Sequence, residues 1–244
     1  MLLLAHLSDL HLDGSARARE RAARVLAHID ALPRRVDAML VTGDLTDHGT
    51  DDEYREVRDL LGDRGALHCP GNHDDRAAYR RTLLGGTGDE PVVGAHDLPG
   101  ARIVLYDSTI PGEAGGELTA WTADRLSELL ADAPATPTLL AFHHPPTPLH
   151  SPEIDAIRQR SSERLDALLR ANPQVVALLC GHAHTPAVTT FGGRPLVVAP
   201  GVRSGLRLPW EGPILLDDRL PPGLAFHVLD GDRLTTHFRL LPDV

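Results

Sequence analysis

The chain has 244 residues, 42% of them hydrophobic, which is enough for one domain with a substantial buried core. It has no run of 18 apolar residues and only two cysteines, so the composition argues against a membrane span, an ordinary signal peptide and a disulfide-stapled fold. Its formal net charge of −10 opposes binding to duplex nucleic acid or to an anionic membrane. We therefore expect a cytoplasmic protein that forms a single domain over residues 1–244.

The first part of the chain alternates apolar runs with helix-forming stretches. Ser15 and Thr50 are predicted N-caps, since each stands directly before such a stretch. In chain order the predicted elements are strand 2–8, helix 16–32, strand 38–42, helix 51–61, strand 66–69 and helix 75–84. This alternation predicts parallel strands joined by right-handed crossovers.

The second part of the chain begins in the same way and ends in hairpins. In chain order the predicted elements are strand 102–107, helix 119–131, strand 138–142, helix 162–171, strand 175–180, a hairpin of 187–191 with 195–199, and a hairpin of 223–229 with 233–240. Residues 150–159 have no clear period and are predicted to form a mobile segment over a functional site. The pattern predicts an α/β fold in which antiparallel strands follow a parallel start.

Potential metal ligands stand just beyond the ends of the predicted strands. Asp9 and His11 are two residues apart, so in an extended chain their side chains point to the same side. Other candidates follow four later strands, where α/β sheets place their ligand crevice. The candidate metal ligands are Asp9, His11, Asp44, Asn72, His143, His182 and His184. We expect them to meet along one edge of the sheet.

The ligand types predict two divalent ions. Imidazoles, carboxylates and an amide oxygen suit Mn, Fe, Zn or Co better than Ca or Mg, and seven side chains are too many for one ion. With Asp44 as a bridge, two ions would lie about 3.5–4 Å apart, as in two-metal hydrolases. Because Asp9 and Asp44 remove only part of the charge of two such ions, the site would attract a phosphate ester despite the acidic protein.

His73 follows Asn72 and is not counted among the ligands. We expect it to contact the phosphate or to protonate the leaving oxygen, and we expect Asp74 to orient it. His73 and Asp74 are therefore the predicted catalytic residues.

Other polar residues are predicted to be structural. His6 is expected to be packed and hydrogen-bonded within the first strand, and the arginines of residues 17–24 are expected to form a solvated helix face. Adjacent strand residues face opposite sides, so only one of His143 and His144 is expected to point at the metals. The residues alone leave open which of the two it is.

The chain resembles the calcineurin-like metallophosphoesterases over about residues 2–200. The five motifs of that family occur here in order, as Asp9-Leu10-His11, Gly43-Asp44, Gly71-Asn72-His73-Asp74, His143, and Gly181-His182-Ala183-His184. The resemblance is closest to bacterial class III cyclic nucleotide phosphodiesterases and glycerophosphodiesterases, through stretches such as His6-Leu7-Ser8-Asp9 and His143-His144-Pro145-Pro146.

The resemblance implies a four-layer αββα sandwich, in which two mixed sheets are flanked by helices. It assigns one ion to Asp9, His11, Asp44 and His184, and the other to Asp44, Asn72, His143 and His182. It also implies that His143 is the ligand and His144 its neighbour.

Departures from the family pattern lie around the substrate. Val202-Arg203-Ser204-Gly205 replaces a stretch of Thr or Ala, His and Gln, and His48 stands where relatives commonly have Asn, Asp or Cys. We predict that His48, Arg203 and His73 contact the substrate. The chain also ends soon after the last hairpin, without the long extension that some relatives use for oligomerisation, so a homodimer stays an open alternative.

The leading hypothesis is a dinuclear metal-dependent phosphodiesterase that uses a metal-bound hydroxide to hydrolyse small phosphodiesters. Cyclic nucleotides of the 3′,5′-cAMP type are the first substrates expected, with glycerophosphodiesters and then phosphomonoesters as alternatives. A non-catalytic scaffold would be expected to lose ligands, and none is missing. A DNA nuclease is disfavoured by the acidic charge balance.

Overall fold

The computed structural model describes residues 1–213 and 215–242. The strands are β1 Leu2–Leu7, β2 Ala38–Thr42, β3 Leu67–Cys69, β4 Val93–Leu98, β5 Ala101–Tyr106, β6 Gly116–Glu117, β7 Thr138–Ala141, β8 Gln159–Arg160, β9 Val175–Cys180, β10 Ala187–Phe191, β11 Arg194–Val198, β12 Gly205–Leu206, β13 Leu216–Asp217, β14 Gly223–Asp230 and β15 Arg233–Leu240. The helices are α1 Ala16–Asp30, α2 Asp51–Leu61, α3 Arg76–Leu83, α4 Ala120–Ala131, α5 Pro152–Ala156 and α6 Ser162–Ala171.

Two large sheets carry the fold. The first has the strand order β15-β14-β1-β2-β3, and the second has the order β10-β11-β9-β7-β5-β4. β1, β2 and β3 are parallel, while β14 and β15 extend that sheet in antiparallel fashion. In the second sheet β11, β9, β7 and β5 are parallel, and the edge strands β10 and β4 are antiparallel. Both sheets are therefore mixed, as predicted.

Three clusters of buried apolar side chains separate the layers. One joins the two sheets face to face, with Leu40 of β2 and Ile103 of β5 among its members. A second packs α1 to α3 on the first sheet and includes Val25, and a third packs α4 and α6 on the second sheet and includes Leu126. The four-layer αββα arrangement is thereby confirmed.

Two helix starts follow directly from the sequence. The Ser15 hydroxyl accepts a hydrogen bond from the Ala18 amide at the start of α1. Thr50 and Glu53 form a capping box at the start of α2, in which each side chain binds the other's backbone amide. Both predicted N-caps are confirmed.

Several regions differ from the prediction. Strand β4 is not among the predicted strands, because Val93–Leu98 has no clear alternation of apolar and polar residues, and its pairing with β5 is decided by a neighbour in space. The two-residue strands β6, β12 and β13 are likewise not among them. Residues 150–159, predicted to form a mobile segment over the functional site, contain α5 and the start of β8, and three of them line the cavity described below. Burial of Ile154 and hydrogen bonds from the amides of Leu149 and His150 to the Asp155 carboxylate stabilise that segment.

Among residues 1–213 and 215–242, no helix is both long enough and apolar enough to cross a bilayer.

A fully buried pair of histidines links β1 to β14. His6 Nδ1 lies 3.0 Å from His227 Nε2, His6 Nε2 lies 2.8 Å from Thr42 Oγ1, and His227 Nδ1 lies 2.8 Å from Thr236 Oγ1. The packed, hydrogen-bonded role predicted for His6 is confirmed. Burial lowers the pKa of His227 to about 3, and burial together with the neighbouring His227 holds the pKa of His6 well below its ordinary value.

This pair predicts a loss of stability in acid. An unfolded histidine has a pKa of about 6.5, so between pH 6.5 and pH 3 the unfolded chain binds a proton that folded His227 does not. The free energy of unfolding therefore decreases as the pH is lowered through this range, by about 1.4 kcal/mol per pH unit for each such histidine. We expect denaturant titrations at pH 7, 6 and 5 to show that the free energy of unfolding decreases less steeply in His227→Gln than in the unmodified protein. An identical decrease in both proteins would contradict this account.

Candidate metal centre

The candidate ligands lie at the carboxyl ends of parallel strands from both sheets. In chain order, Asp9 and His11 follow β1, Asp44 follows β2, Asn72 follows β3, His143 follows β7, and His182 and His184 follow β9. Because both sheets direct these ends to the same place, side chains far apart in sequence come within a few ångströms of one another.

The first group of converging atoms comes from Asp9, His11, Asp44 and His184. His11 Nε2 lies 3.2 Å from His184 Nε2 and 3.4 Å from Asp44 Oδ2. His184 Nε2 lies 3.5 Å from Asp9 Oδ1. All four residues are buried.

The second group is centred on His143. Its Nε2 lies 3.3 Å from Asp44 Oδ2, 3.2 Å from Asn72 Oδ1 and 3.2 Å from His182 Nδ1. The Asp44 Oδ2 atom therefore belongs to both groups. A single carboxylate oxygen between two clusters of nitrogen and oxygen donors is the arrangement that a bridging ligand requires.

Three outer contacts fix the histidine tautomers. His143 Nδ1 lies 2.7 Å from the Thr42 carbonyl oxygen, which can only accept, so Nδ1 carries the proton and Nε2 presents a lone pair. His184 Nδ1 is held by Ser204, whose carbonyl oxygen is 3.2 Å away. His11 Nδ1 lies 2.9 Å from Asp47 Oδ1. In all three rings Nε2 is therefore the nitrogen available to a metal.

The chemistry of this donor set fits divalent cations. Unprotonated nitrogens and carboxylate oxygens packed together repel one another unless a cation or proton lies among them. The His182 ring is buried, and its Nδ1 is the nitrogen that faces His143 Nε2 over 3.2 Å, whereas its Nε2 has no hydrogen-bond partner among the described residues. Nδ1 is therefore the His182 atom placed to bind a cation in the second group.

Backbone strain is concentrated at the same residues. Of seven non-glycine residues with positive φ among those described, five are candidate ligands. They are Asp9, His11, Asp44, His182 and His184. This conformation costs an L-residue roughly 1–2 kcal/mol and persists where the surrounding structure enforces it, most often at functional sites.

Gly71 is needed because of a close approach. A Cβ atom at this position would fall on the side chain and amide of Asp44. The φ of Gly71 is not among the positive values, so close packing against Asp44 is the reason that a glycine stands here. Any larger residue would displace the carboxylate shared by the two groups.

The carboxylates of this centre raise the pKa of two of its imidazoles. Burial lowers the pKa of His143, but the Asp44 and Asp9 carboxylates outweigh it and raise that pKa to about 9. The pKa of His11 is likewise raised by Asp44, Asp47 and Asp9 in spite of burial. Burial would raise the pKa of Asp44, but the imidazoles of His143 and His11 hold it well below its usual range. The centre thus stabilises positive charge strongly.

His73 lies beside the centre and faces the solvent. Its backbone amide donates to Asp44 Oδ1 over 2.9 Å, and its side chain is 41% exposed. Nδ1 lies 2.9 Å from the Asp47 carbonyl oxygen and 3.6 Å from the Asp47 carboxylate. Nδ1 therefore carries a proton, and Nε2 is the nitrogen left for a ligand.

The expected contact between Asp74 and His73 is not what the structure shows. The Asp74 carboxylate accepts hydrogen bonds from the amides of Gly71, Leu45 and Thr46 and from the Tyr54 hydroxyl. It therefore ties the loop after β3 to the loop after β2. The prediction that Asp74 orients His73 is wrong, because a turn points the Asp74 side chain back into the protein.

Asp47, and not Asp74, is the aspartate that lies beside His73. No sequence motif marks this residue. Its carboxylate lies close to three imidazoles, those of His11, His73 and His48. The residue stands only three positions after Asp44, but a lone aspartate in a loop carries no signal of such a role. The contact depends on the fold, which also pairs Leu12 with Thr46.

The remaining predicted residues differ in their placement. Arg203 lines the cavity above the centre, and its Nη2 atom is 3.9 Å from Asp13. His48 is not among the residues that line this cavity, and its Nδ1 lies 2.7 Å from Glu53 Oε1. Both ring nitrogens of His144 have protein partners, Ser108 Oγ at 2.8 Å and the Ala114 carbonyl oxygen at 3.2 Å. Of this pair, His143 is therefore the histidine whose Nε2 faces the shared Asp44 carboxylate.

A cavity of about 630 Å³ opens over the candidate ligands. Asp44, Asn72 and His73 line it together with residues of two later segments, around α5 and around β13. Its size falls within the roughly 300–1,000 Å³ of pockets that hold whole small molecules.

Comparison with known proteins agrees with this geometry. The sequence model described as "Calcineurin-like phosphoesterase" matches residues 2–186. The chain is 40% identical over 214 residues to a "Probable cyclic nucleotide phosphodiesterase" of Rhodococcus erythropolis, covering 80% of this chain and 69% of the relative. It is 32% identical over 250 residues to "Glycerophosphodiester phosphodiesterase GpdQ" of Enterobacter lignolyticus, covering 97% of this chain and 90% of the relative.

Solved structures show the same fold. A dimetal phosphatase from Danio rerio superimposes with a TM-score of 0.72 at 17% sequence identity, and the match covers 100% of this chain and 98% of that one.

Proposed function

The chain belongs to the calcineurin-like phosphoesterase family, and we propose that it is a dinuclear phosphodiesterase acting on small phosphodiesters, with 3′,5′-cyclic nucleotides as preferred substrates. The observation that carries this proposal is the shared Asp44 Oδ2, 3.4 Å from His11 Nε2 and 3.3 Å from His143 Nε2. Metal-dependent hydrolysis of phosphodiesters agrees with the family and with the names of both relatives.

The proposed ligands divide between two ions. One ion would be held by Asp9, His11, Asp44 and His184, and the other by Asp44, Asn72, His143 and His182. Two divalent ions supply Lewis acidity toward the phosphate oxygens and lower the pKa of bound water. The nitrogen and oxygen donors allow Mn, Fe, Zn or Co.

The chain's own residues bind the ester and move the proton. A protonated His73 keeps its Nδ1–H on the Asp47 carbonyl and presents Nε2–H to the cavity, where it can donate to a phosphate oxygen or to the leaving oxygen. The Asp47 carboxylate lies 3.6 Å from the same Nδ1 atom. Arg203 brings a second cation to the cavity, with an exposed side-chain fraction of 26%.

Glycerophosphodiesters are the second candidate substrates. The relative named for them matches 97% of this chain, a longer match than that of the cyclic nucleotide phosphodiesterase. The same centre would cleave either ester, since both present one anionic phosphodiester. The choice between them rests on the parts of the cavity that do not touch the phosphate.

A turnover panel tests the proposal. Purified protein is loaded with manganese, its metal content is measured, and rates are compared at equal concentration for cyclic nucleotides, glycerophosphodiesters, dinucleotides and phosphomonoesters. We expect two ions per chain and the highest kcat/KM for a 3′,5′-cyclic nucleotide. Protein without stoichiometric metal that leaves bis(p-nitrophenyl) phosphate intact would instead support a non-catalytic scaffold.

We further propose that the protein acts in the cytoplasm as a single domain on a small diester, without duplex nucleic acid or a membrane as partner. The net charge of −10 supports this partner class. A homodimer is compatible with the proposal, and sedimentation of the purified protein would test it.

A further inference from the structure

The cavity over the centre has an apolar wall that the phosphate chemistry does not use. Ile157, just after α5, lines it together with Leu215 and Leu216 at β13. Ile157 and Leu215 also pack against the core of the second sheet, whereas Leu216 is 51% exposed. Removing a large apolar side chain in a cavity wall from water favours the binding of a ligand that covers it.

Charged groups beside this wall hold its β13 segment in place. Asp217, directly after Leu216, is buried and binds two guanidinium groups, with Nε of Arg207 and Nε of Arg219 each 2.8 Å from one of its oxygens. Such paired contacts fix the β13 backbone. Leu216 thus directly precedes a residue whose side chain is held by two arginines.

A buried arginine of α1 anchors the same segment. Arg21 donates to the carbonyl oxygens of Val202, Asp218 and Leu220 over 2.9, 3.0 and 2.7 Å. It is 5% exposed, so the expectation that it belongs to a solvated helix face is wrong. The guanidinium joins the loop carrying Arg203 to the segment after β13.

The lining restricts the chemistry of the occupant. Among the described residues that line this cavity, none is Trp, Tyr or Phe, so the aromatic cage that recognises a choline cation is missing. Asp217 and Asp218 are already paired with arginines and offer little to an added amine. Aliphatic side chains beside the planar, paired Arg219 guanidinium suit a flat, uncharged ring.

We propose that Ile157, Leu215, Leu216 and Arg219 form a subsite for the nucleobase of the substrate. The inference rests on the proposed function and narrows it, since a base subsite favours nucleoside esters over glycerophosphodiesters. The base packs against Ile157 and Leu216, the Arg219 guanidinium stacks on the face of the base, and the phosphate reaches the metal centre within the same cavity.

The test compares two substrates that differ only in the base. These are 3′,5′-cAMP and the base-free ribose 3′,5′-cyclic phosphate, each with manganese-loaded protein. Loss of one apolar contact is worth about tenfold or more in kcat/KM. We expect Leu216→Ser and Ile157→Ser each to raise KM for cAMP about tenfold with little change in kcat, and to leave the base-free substrate unaffected. Leu84→Ser is the matched control, because Leu84 is 48% exposed and does not line this cavity.

A binding measurement separates this inference from the function on which it rests. Saturation-transfer NMR with adenosine and metal-free protein needs no turnover, and we expect its signal to weaken in Leu216→Ser and to persist in Leu84→Ser. If no cyclic phosphate is hydrolysed but the adenosine signal depends on Leu216, the proposed function is wrong and the subsite stands. If cAMP is hydrolysed and the variants affect both substrates equally, the subsite is wrong and the function stands.

Discussion

Replacing Asp44 with asparagine is expected to lower kcat/KM for every phosphodiester by at least about 10³-fold, the upper range found when a single stabilising group is removed from an active site. Asparagine keeps the shape of the side chain but removes the charge shared by the two donor groups. The amide oxygen of asparagine can still accept the hydrogen bond from the His73 amide, so His73 is expected to keep its position. Turnover of bis(p-nitrophenyl) phosphate measures the loss of activity, and mass spectrometry measures the metal content.

Asp107→Asn is the matched control for this variant. Asp107 is 2% exposed, like Asp44, but its carboxylate is 2.6 Å from Arg76 Nε on α3, away from the candidate ligands. We expect Asp107→Asn to lower the unfolding temperature while the folded protein keeps two ions and its activity. Near-normal turnover in Asp44→Asn would contradict the dinuclear centre, whatever the control shows.

The second large effect is expected from His73→Asn. General acid catalysis typically contributes about 10²–10⁴-fold, so kcat for a cyclic nucleotide, whose leaving group is an alkoxide, falls by that factor. A p-nitrophenolate leaving group needs no proton, so the loss with bis(p-nitrophenyl) phosphate is expected to be much smaller. Metal content stays at two ions per chain, since His73 contributes only its backbone amide to Asp44.

The pattern of losses identifies what His73 does. Equal losses with both leaving groups would show that His73 binds the phosphate instead of protonating the leaving oxygen. Loss of metal would show that it is a ligand. Asp47→Asn provides a further comparison, because it removes the carboxylate that faces both His73 and His11. We expect a smaller fall in kcat from Asp47→Asn than from His73→Asn, with weaker metal retention.

His143 and His144 show what the alternation of side chains along a strand can and cannot predict. Alternation along a strand says that two adjacent histidines cannot both face the centre, but not which one does. The structure supplies the difference through partners from other strands and loops. Thr42 fixes the tautomer of His143, while Ser108 and Ala114 occupy both nitrogens of His144.

The sequence by itself determined the strand and helix order of the parallel core, the two helix caps and the identity of the candidate ligands. These depend on local propensity, on hydrophobic runs and on polar residues placed directly after strands, all of which act within a few residues. The tertiary structure alone decided that Asp47 and not Asp74 faces His73, that β4 joins the second sheet, and that Arg21 is buried against distant carbonyl groups. Such contacts join residues up to 199 positions apart, as between Arg21 and Leu220. The direction of the side chains also depends on the conformation of the turns, so no local sequence pattern encodes these contacts.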